Sequence, residues 1–457
     1  MGAEPSDQAS VITVRARGRT GAENMELRIN GTIAASWDNV SSKMSDYTHT
    51  VTTPTVVDTI RVHFTNDGGW PEADRNLIVD NITIDGQTYE SEAPTTKSSG
   101  SWTSGTRCTD GYKTSEWLHC LDAWLEYQAA AGTELAGSQA QAVAETVVIY
   151  DTDMGVDIDD ALGLAMLHGY EKAGDAKLAA VTISRNSDVG ARYVDAVNGF
   201  YGRPDIPIGV YRGKTNLDRH DRFAQDVVDR GLYPHDVHLS AIPEAYRTMR
   251  QVLAEAEDDS VVIVQVGLSG NTARLLESGP DEISPLTGLQ LVENKVRVLT
   301  VMGGDNSGGR AEFNIVQDLA NARIVFSQWP EELLQNEARL GDSILYPGSS
   351  VFTDFEYVDH HPIKDAYLAE KLPWHEDAGA TYNMRTWDLM SVLSAVEEPE
   401  AYFAVSGSGR TTIDQHGYTS FSESGGNHRT LGHASDLTAT QRSAIVARLR
   451  ELVTESP

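Results

Sequence analysis

Five aspartates fall within ten residues of this sequence, in the segment Asp151-Thr-Asp-Met-Gly-Val-Asp-Ile-Asp-Asp160. Like charges this close together are costly unless a cation lies among them. A hard ion such as calcium takes about 6–8 oxygen ligands, and this segment offers several. The alternative is a solvated acidic loop with a helix-capping aspartate. The residues favour metal binding over that alternative.

The segments on either side of the aspartates predict how they are held. Val147 to Tyr150 form an apolar run typical of a short buried strand, Gly155 permits a sharp turn, and Ala161 to His168 follow a helical pattern. The acidic segment is therefore predicted to lie at a strand-to-helix corner, where open α/β sheets bind ligands.

The length and the net charge of the chain limit the functions that it can have. A chain of 457 residues is too long for one ordinary core, so we expect two domains. The formal net charge of −31, from 67 acidic and 36 basic residues, argues against a nucleic-acid partner and favours cation sites. No apolar run approaches the roughly 18 residues that span a bilayer, so no membrane segment is expected. The first residues lack the basic and apolar regions of a signal peptide, which a trimmed leader would explain.

The sequence pattern of residues 1–92 predicts an all-β sandwich of the jelly-roll type. Short alternating segments predict its strands, and Asn30-Gly31 and Asp85-Gly86 are typical turns. These segments are Ile12 to Ala16, Leu27 to Ile29, Thr59 to Phe64 and Asn76 to Ile84.

The loop between the last two segments combines oxygen ligands with an aromatic ring. It carries Asn66, Asp67, Asp74 and Asn76 beside Trp70. A calcium ion can chelate vicinal sugar hydroxyls while an aromatic face covers the apolar side of the ring. A turn rich in Asn, Asp and Gly is the alternative.

Three stretches of this part, Val14 to Leu27, Phe64 to Gly69 and Asp74 to Asp80, resemble the calcium-dependent xylan-binding modules of bacterial polysaccharide-degrading enzymes. The resemblance covers about residues 1–90. It implies a calcium ion that bridges protein carboxylates and a polysaccharide. By motif position it nominates Asp67, Asp74 and Asp80, with Asn66 and Asn76 nearby.

Residues 93–143 are rich in Ser, Thr, Gly and Ala and contain both cysteines, Cys108 and Cys120. The close spacing suits one local disulfide in an oxidising compartment, and two free thiols are the alternative. We predict a linker that carries this pair, with a short helix over Trp117 to Tyr127.

From residue 144 to 457, apolar strands alternate with helical stretches, which predicts an α/β domain with a mostly parallel sheet. Several strands are followed by small or polar residues, such as Asn186, Gly267 to Asn271 and Met302 to Asp305, and these belong at the edge of the acidic corner. The predicted strands are Val147 to Tyr150, Leu178 to Ile183, Ile208 to Val210, Val261 to Val266 and Val296 to Val301.

The acidic segment looks like the N-terminal motif of the inosine–uridine preferring nucleoside hydrolases. Further motifs of that family match Val181 to Asn186, Val266 to Asn271, Val301 to Gly304, Ala311 to Asn314 and Trp387-Asp388, so the resemblance spans about residues 147–453. It implies a calcium ion held by Asp153, Asp160, the main-chain carbonyl of Val266 and Asp388, with Asp153 also acting as the base. It further implies a ribose pocket lined by Asp159, Asn186, Met302, Glu312 and Asn314.

Trp387 marks a departure from part of that family. Members that protonate the leaving base with histidine carry it immediately before the last aspartate, where this chain has Trp387. An indole cannot act as a general acid at neutral pH, but it can stack on an aromatic base, so we place Trp387 in the substrate site. The role of Asp157 stays open, and so does the general acid, for which the candidates are His220, His235, His238, His360, His361, Arg222, Asp226 and Tyr382.

These features predict a secreted or periplasmic bacterial hydrolase that depends on calcium, cleaves the N-glycosidic bond of ribonucleosides and is tethered to a xylan-like polysaccharide. One alternative is a glycosidase acting on an O-linked pentofuranoside of a wall glycan. Another is a non-catalytic sugar-binding protein. The substrate is a small nucleoside or pentoside in the first two cases, and association into homo-oligomers is left open.

Overall fold

The computed structural model describes residues 10–51, 55–68, 74–103, 107–111, 116–135, 146–215, 217, 221, 223–235, 237–370, 382–432 and 437–457. The chain forms two compact units, residues 1–143 and 144–457. Each unit has a hydrophobic core of its own.

Two antiparallel sheets pack around one core in the N-terminal unit, which confirms the predicted all-β architecture. Alternate residues of β1, namely Ile12, Val14 and Ala16, are buried in this core, as expected for strands with one face covered. The strands are β1 (Val11–Gly18), β2 (Glu23–Ile29), β3 (Thr32–Val40), β4 (Ser45–Thr50), β5 (Thr55–Val56), β6 (Ile60–Phe64), β7 (Leu77–Ile84), β8 (Gln87–Glu90), β9 (Thr96–Thr103), β10 (Arg107–Gly111), β11 (Trp117–Leu118), β12 (Ala123–Tyr127) and β13 (Glu134–Leu135). One sheet has the order β11-β7-β1-β4, with β8 also on β7, the other has the order β10-β9-β12-β6-β2-β3, and β5 pairs with β13.

Both predicted turns join consecutive strands. Asn30 and Gly31 connect β2 to β3 with φ values of 51° and 85°. Asp85 and Gly86 connect β7 to β8 with φ values of 47° and 84°. Positive φ at both central residues twists a two-residue loop in the sense that the strands require, and Asn-Gly and Asp-Gly supply it at little cost.

The prediction of a linker over residues 93–143 was wrong for most of its length. Strand β12 lies between β9 and β6 in the six-stranded sheet, and its Leu125 is fully buried in the core. The helix predicted over Trp117 to Tyr127 was wrong as well, because the burial of Ala123–Tyr127 alternates with the period of a strand. Cys120 is buried, while the side chain of Cys108 lies outside the described residues, so the disulfide stays a prediction.

A seven-stranded sheet with helices on its faces forms the C-terminal unit, and every neighbouring pair of its strands is parallel. The predicted α/β architecture is therefore confirmed. The sheet has the order β16-β15-β14-β17-β18-β19-β24, from strands β14 (Thr146–Thr152), β15 (Ala176–Ile183), β16 (Ile208–Val210), β17 (Val261–Gln265), β18 (Val296–Met302), β19 (Glu332–Asn336) and β24 (His428–Thr430). Short strands β20 (Leu345–Tyr346) and β21 (Met384–Arg385) form one antiparallel pair, and β22 (Arg410–Ile413) and β23 (Thr419–Ser422) form another.

Thirteen α-helices accompany this sheet in the described residues. They are α1 (Asp159–Ala173), α2 (Asp188–Phe200), α3 (Ala224–Arg230), α4 (Ala245–Glu255), α5 (Gly270–Glu277), α6 (Gly288–Lys295), α7 (Phe313–Gln317), α8 (Leu319–Gln328), α9 (Ala338–Ser343), α10 (Ser350–Thr353), α11 (Pro362–Ala369), α12 (Trp387–Val396) and α13 (Ala439–Val453). Parallel pairing brings the carboxyl ends of β14, β17 and β18 to one edge of the sheet, where the loops to the helices begin. Among the described helices, none combines the length and the apolarity needed to cross a membrane.

Replacement of Leu125 tests whether the former linker segment is part of the sandwich. Leu125→Ala removes a fully buried side chain and should lower the free energy of unfolding of the N-terminal unit by about 2–5 kcal/mol. Leu121, four residues earlier, is 66% exposed, so Leu121→Ala should leave it nearly unchanged. Calorimetric unfolding of the full chain measures both. Equal effects of the two substitutions would mean that the segment is not packed in the core.

Candidate active site

The acidic corner lies between β14 and α1, as the sequence predicts. Gly155 turns the chain with a φ of 101°, and a Cβ atom there would lie 2.6 Å from Nη2 of Arg185, so both the backbone angle and the available space require glycine. Asp159 and Asp160 occupy the first turn of α1. The positive end of the helix dipole favours carboxylates in this position.

One cavity of about 460 Å³ brings most of the predicted site residues together. They reach it from distant parts of the chain: Val266 follows β17, Met302 ends β18, and Asp388 lies in the first turn of α12. The predicted residues that line the cavity are Asp153, Asp159, Asp160, Val266, Met302, Glu312, Asn314, Trp387 and Asp388, and Asp157 lines it with them. Pockets of this volume are typical of small-molecule sites.

Asn186 is not brought together with the other predicted residues. Its side chain is exposed, and its Oδ1 accepts a hydrogen bond from Nη1 of Arg212 at 3.0 Å. Asn186 follows β15, which lies next to β14 in the sheet. Its place at the correct edge was therefore predictable, whereas the direction of its side chain was not.

Hydrogen bonds hold the cavity wall opposite the aspartates. Nδ2 of Asn314 donates to the main-chain oxygen of Val266 at 2.8 Å. The carboxylate of Glu312 accepts hydrogen bonds from the backbone N–H groups of Asn314, Ile315 and Gly304 at 2.9, 3.1 and 3.2 Å. Glu312 therefore caps α7 and is fixed in one orientation.

The carboxylates on the other wall are buried and repel one another. Burial raises the pKa of Asp153 to about 7, while the nearby Arg185 guanidinium acts in the opposite direction. Burial, and then the charge of Asp153, raises the pKa of Asp160 well above its ordinary value. The pKa values of Asp159 and Asp388 are raised in the same way, first by burial and then by neighbouring aspartates. Without positive charge from a bound group, these carboxyl groups therefore favour the protonated, neutral form.

The chemistry of the donor set suits a calcium ion. Three buried carboxylates, Asp153, Asp160 and Asp388, line one cavity with Val266, and hard oxygen atoms of this kind are the ligands that calcium prefers. The oxygen atoms of these three carboxylates do not all lie within 4.8 Å of one another. No cationic side chain other than Arg310 lines the cavity among the described residues. The guanidinium of Arg310 is directed to Asp342, with 2.6 Å between Nη2 and Oδ2.

Asp151 lies behind the cavity and does not line it. Its Oδ1 accepts hydrogen bonds from the hydroxyl of Thr182 and the amide of Asn271, both at 2.7 Å, and burial raises its pKa to about 7. The main-chain oxygen of Asp151 accepts the N–H of Val266 at 2.7 Å. Asp151 thus supports the segment that presents the Val266 carbonyl.

The remaining wall of the cavity is largely apolar. Trp387 lines it, and its Nε1 donates to Oδ1 of Asp342 at 3.0 Å. Phe313 and Val316 also line the cavity and are 46% and 44% exposed, which places them at its mouth. No motif in the sequence singles out Phe313 and Val316, although both lie within two residues of Asn314.

No histidine lines the cavity among the described residues. His361 is fully buried among aromatic rings, and burial lowers its pKa to about 3. Neither His235, His238 nor His360 lines the cavity. Arg222 and His220, two further candidates for the acid, lie outside the described residues. The other candidates, Asp226 and Tyr382, do not line the cavity.

In the N-terminal unit, part of the predicted calcium loop gathers around the turn that precedes β2. Asn66 exchanges hydrogen bonds with the main chain of Ala22 and Asn24 at 2.8 and 2.7 Å. Asp74 pairs with Arg19 and accepts the amide of Asn76 at 2.8 Å. Asp67 lies half-buried in the described part of this loop, whereas Trp70 lies outside the described residues.

Asp80 belongs to a different acidic group. Its carboxylate lies with those of Glu92 and Glu116, with oxygen atoms within 4.8 Å of one another. A hydrogen bond to Glu92, followed by burial, raises the pKa of Glu116 to about 7. The sequence did not point to Glu92 or Glu116, because they come near Asp80 only through the pairing of β7 with β8 and β11.

Comparison with known families agrees with both halves of the structure. The family model of the inosine-uridine preferring nucleoside hydrolases matches residues 148–434, more than half of the chain. The chain belongs to this family. Its C-terminal unit is therefore a glycosidic-bond hydrolase of the nucleoside hydrolase type. A second family model, of calcium-dependent xylan-binding carbohydrate-binding modules, matches residues 11–99. Both resemblances drawn from the sequence are confirmed.

The individual relatives each match only one of the two units of the chain. A plant nucleoside hydrolase is 20% identical with a TM-score of 0.52, over 68% of this chain and 99% of its own. An inosine-guanosine nucleoside hydrolase is 18% identical with a TM-score of 0.53, over the same shares. At these identities the likeness shows the fold alone. Endo-1,4-beta-xylanase Xyn11B of Cellvibrio japonicus is 37% identical over 112 residues, 24% of this chain and 29% of that protein. The chain thus spans less than a third of that curated relative.

The raised pKa values predict how stabilisation by calcium depends on pH. Without a cation, the carboxyl group of folded Asp153 keeps its proton up to about pH 7, and the pKa values of Asp160 and Asp388 are also raised, whereas the unfolded chain releases such protons near 3.8. The folded state then binds more protons, so these groups lower the stability as the pH rises through this window. A bound cation keeps the carboxylates ionised and removes the loss. The increase in melting temperature on adding calcium, relative to chelator, should therefore grow between pH 5 and 8.

This comparison has two internal controls. His168, His361 and His428 are buried with lowered pKa values and stabilise the fold as the pH rises, but they do so with and without calcium and cancel in the difference. Calcium bound by the N-terminal unit should raise the melting temperature of Asp388→Asn and of the unaltered chain equally. The part of the increase that depends on pH should be smaller in Asp388→Asn, because this chain lacks one of the proposed ligands. An increment that shrinks from pH 5 to 8 would contradict the proposed cation site.

Proposed function

We propose that the C-terminal unit is a calcium-dependent hydrolase that cleaves the N-glycosidic bond of ribonucleosides, and that the N-terminal unit tethers it to a xylan-like polysaccharide. The observation that carries the catalytic part is the single cavity shared by Asp153, Asp160, Asp388 and Val266 with all the residues expected at the ribose except Asn186. An accidental acidic loop would not collect these groups from five separate segments.

Cleavage of an N-glycosidic bond develops positive charge at the anomeric carbon and the ring oxygen of the sugar. Buried carboxylates close to the sugar stabilise that charge, because little solvent screens it in the cavity. Asp153, which a bound cation would keep ionised, can accept a proton from the attacking water at neutral pH. When bound, calcium supplies Lewis acidity and fixes vicinal hydroxyl groups.

The opposite wall orients the sugar. The backbone N–H groups that bind Glu312 leave its carboxylate with further capacity to accept hydrogen bonds from sugar hydroxyls. Asn314 is held by its bond to the Val266 carbonyl, and Asp159 faces the cavity from the first turn of α1. Fixed acceptors of this kind lower the entropic cost of reaching the reactive geometry.

The leaving group faces Trp387, Phe313 and Val316. An aromatic base can stack on the indole, which supports a nucleoside as the substrate. The absence of histidine among the described lining residues supports a second candidate, an O-linked pentofuranoside whose leaving group needs no protonation by histidine. Both candidates use the same aspartates and the same cation.

A substrate panel tests the proposal and separates the two candidates. The full chain should release base from inosine or uridine faster than it releases phenol from aryl ribofuranosides, and chelator should abolish both activities. Asp153→Asn should lower kcat by at least about a thousandfold with the fold retained, because it removes the base and a cation ligand. Asp205, 80% exposed and remote from the cavity, provides the control Asp205→Asn, which should keep full activity.

Faster cleavage of the aryl ribofuranosides would select the second candidate. Full activity of purified Asp153→Asn would exclude this site as the catalytic one for both candidates. If the unaltered chain cleaves no substrate of the panel, a sugar-binding protein is the remaining alternative. If the chain cleaves every substrate as fast with chelator as without it, calcium has no role in the reaction.

The tether follows from joining a glycan-binding unit to an enzyme. Immobilisation on a polysaccharide raises the local concentration of the enzyme near substrates that are attached to it or released beside it. Such a pairing suits a secreted or periplasmic location. We infer that calcium at the loop of Asn66, Asp67, Asp74 and Asn76 bridges the N-terminal unit to sugar hydroxyls, with Asp80 in the neighbouring acidic group.

Binding to insoluble xylan tests the tether. The full chain should sediment with xylan in calcium and stay in solution in chelator. Asp67→Ala should weaken binding at least about tenfold by removing a ligand oxygen, whereas Asp58→Ala, at an exposed position of the same unit, should not. Activity on a soluble substrate should be the same in all three chains. Binding that persists in chelator would contradict a calcium bridge.

A further inference from the structure

Arg185 is fully buried beside the acidic corner, at the carboxyl end of β15. Its Nε donates to the main-chain oxygen of Asp153 at 2.9 Å, and its Nη2 donates to the main-chain oxygen of Met154. Nη2 also donates to Oδ1 of Asp221 at 2.6 Å. One guanidinium thus binds two consecutive carbonyls of the turn and one carboxylate.

Because of these bonds, the carboxylate and the main-chain carbonyl of Asp153 have different surroundings. The carboxylate of Asp153 lines the cavity, whereas its carbonyl is bonded to Arg185, which does not line it. The carbonyl of Met154 is engaged in the same way. A turn without Arg185 would leave the Met154 carbonyl without this donor and the Asp153 carbonyl with only the N–H of Val156, at 3.3 Å. Gly155 next to them tolerates many backbone angles, so both carbonyls would be less firmly held.

The charge of Arg185 is balanced within its own surroundings. Asp221 supplies the counter-charge, and the hydroxyl of Ser187 donates to the same Oδ1 at 2.7 Å. A neutral pair repels a neighbouring divalent cation much less than an isolated guanidinium does. Ser187 also caps α2, so the pair is anchored to a regular element of the fold.

We propose that Arg185 is a positioning residue for the cation: it holds the carbonyls of Asp153 and Met154 away from the cavity so that the Asp153 carboxylate alone is presented to calcium. Asp221 keeps this device electrically neutral. This inference rests on the proposed calcium site, and it adds two residues that touch neither the cation nor the substrate but set the geometry of a ligand.

Arg250 offers a matched control within the same unit. It is also fully buried, pairs with Asp281 at 2.8 Å, and donates to the main-chain oxygen of Leu286 at 3.0 Å. Neither Arg250 nor these partners line the cavity. Loss of Arg250 should therefore destabilise the fold in the same manner as loss of Arg185 while leaving the acidic corner intact.

The experiment is a calcium titration of the full chain, followed by hydrogen exchange of a peptide covering residues 146–160. Calcium should protect this peptide in the unaltered chain. Arg185→Met should raise the calcium concentration for half-protection at least about tenfold, because the ligand is no longer held. Arg185→Lys, which keeps the charge and one hydrogen bond, should raise it by a smaller factor of about three. Arg250→Met should leave it unchanged.

Asp221→Asn provides an independent test of the charge balance. It keeps the guanidinium in place with an uncompensated charge, so the half-protection concentration should rise about tenfold and more steeply at low ionic strength. Equal values in the unaltered chain and Asp221→Asn would overturn the role of Asp221.

The outcomes distinguish this inference from the proposed function. If calcium protects the peptide in the unaltered chain and Arg185→Met has the same half-protection concentration as Arg250→Met, the inference is wrong and the calcium site stands. If Arg185→Met does not fold, an Arg185→Lys value equal to that of the unaltered chain overturns it instead. If calcium protects no chain, the proposed calcium site itself fails.

Discussion

The concentration of negative charge in one buried corner is the constraint on which the C-terminal unit depends. Asp153, Asp159, Asp160 and Asp388 are almost completely buried, and each disfavours ionisation of its neighbours. The fold itself offsets part of this electrostatic repulsion, because Asp159 and Asp160 lie in the first turn of α1 and Asp388 lies in the first turn of α12. Two helix N-termini thus direct their partial positive charge to the cluster. In the proposed function, a divalent cation supplies the rest.

This arrangement also couples cation binding to folding. The proposed ligands come from the corner after β14, from the end of β17 and from the start of α12, so they meet only when most of the parallel sheet has formed. An ion bound there closes long stretches of chain, whose ends are costly to bring together by contacts alone. In the proposed function, the site would therefore serve catalysis and also stabilise the tertiary structure.

Local patterns in the sequence were sufficient to predict the strand-turn-helix corner, since the apolar run, Gly155 and the helical spacing all lie within twenty residues. The two Asx-Gly turns were predictable for the same reason. The linker over residues 93–143 was misjudged because a polar composition suggests exposure, although alternate residues of β12 are buried. Long-range pairing is what brings Glu92 and Glu116 to Asp80, and no local pattern reports it. Arginine is rarely fully buried, so the inward position of Arg185 could not be predicted from the sequence either.

The hydrogen bond from Trp387 to Asp342 has a consequence for selectivity. With its N–H already engaged, the indole has no polar group left with which to tell one leaving group from another, and Phe313 and Val316 have none either. Apolar contact separates related ligands by modest factors only, whereas a buried hydrogen-bonding group can reject a poor match by several orders of magnitude. For the proposed hydrolase, we therefore expect strict selection of the sugar and broad tolerance of the leaving group.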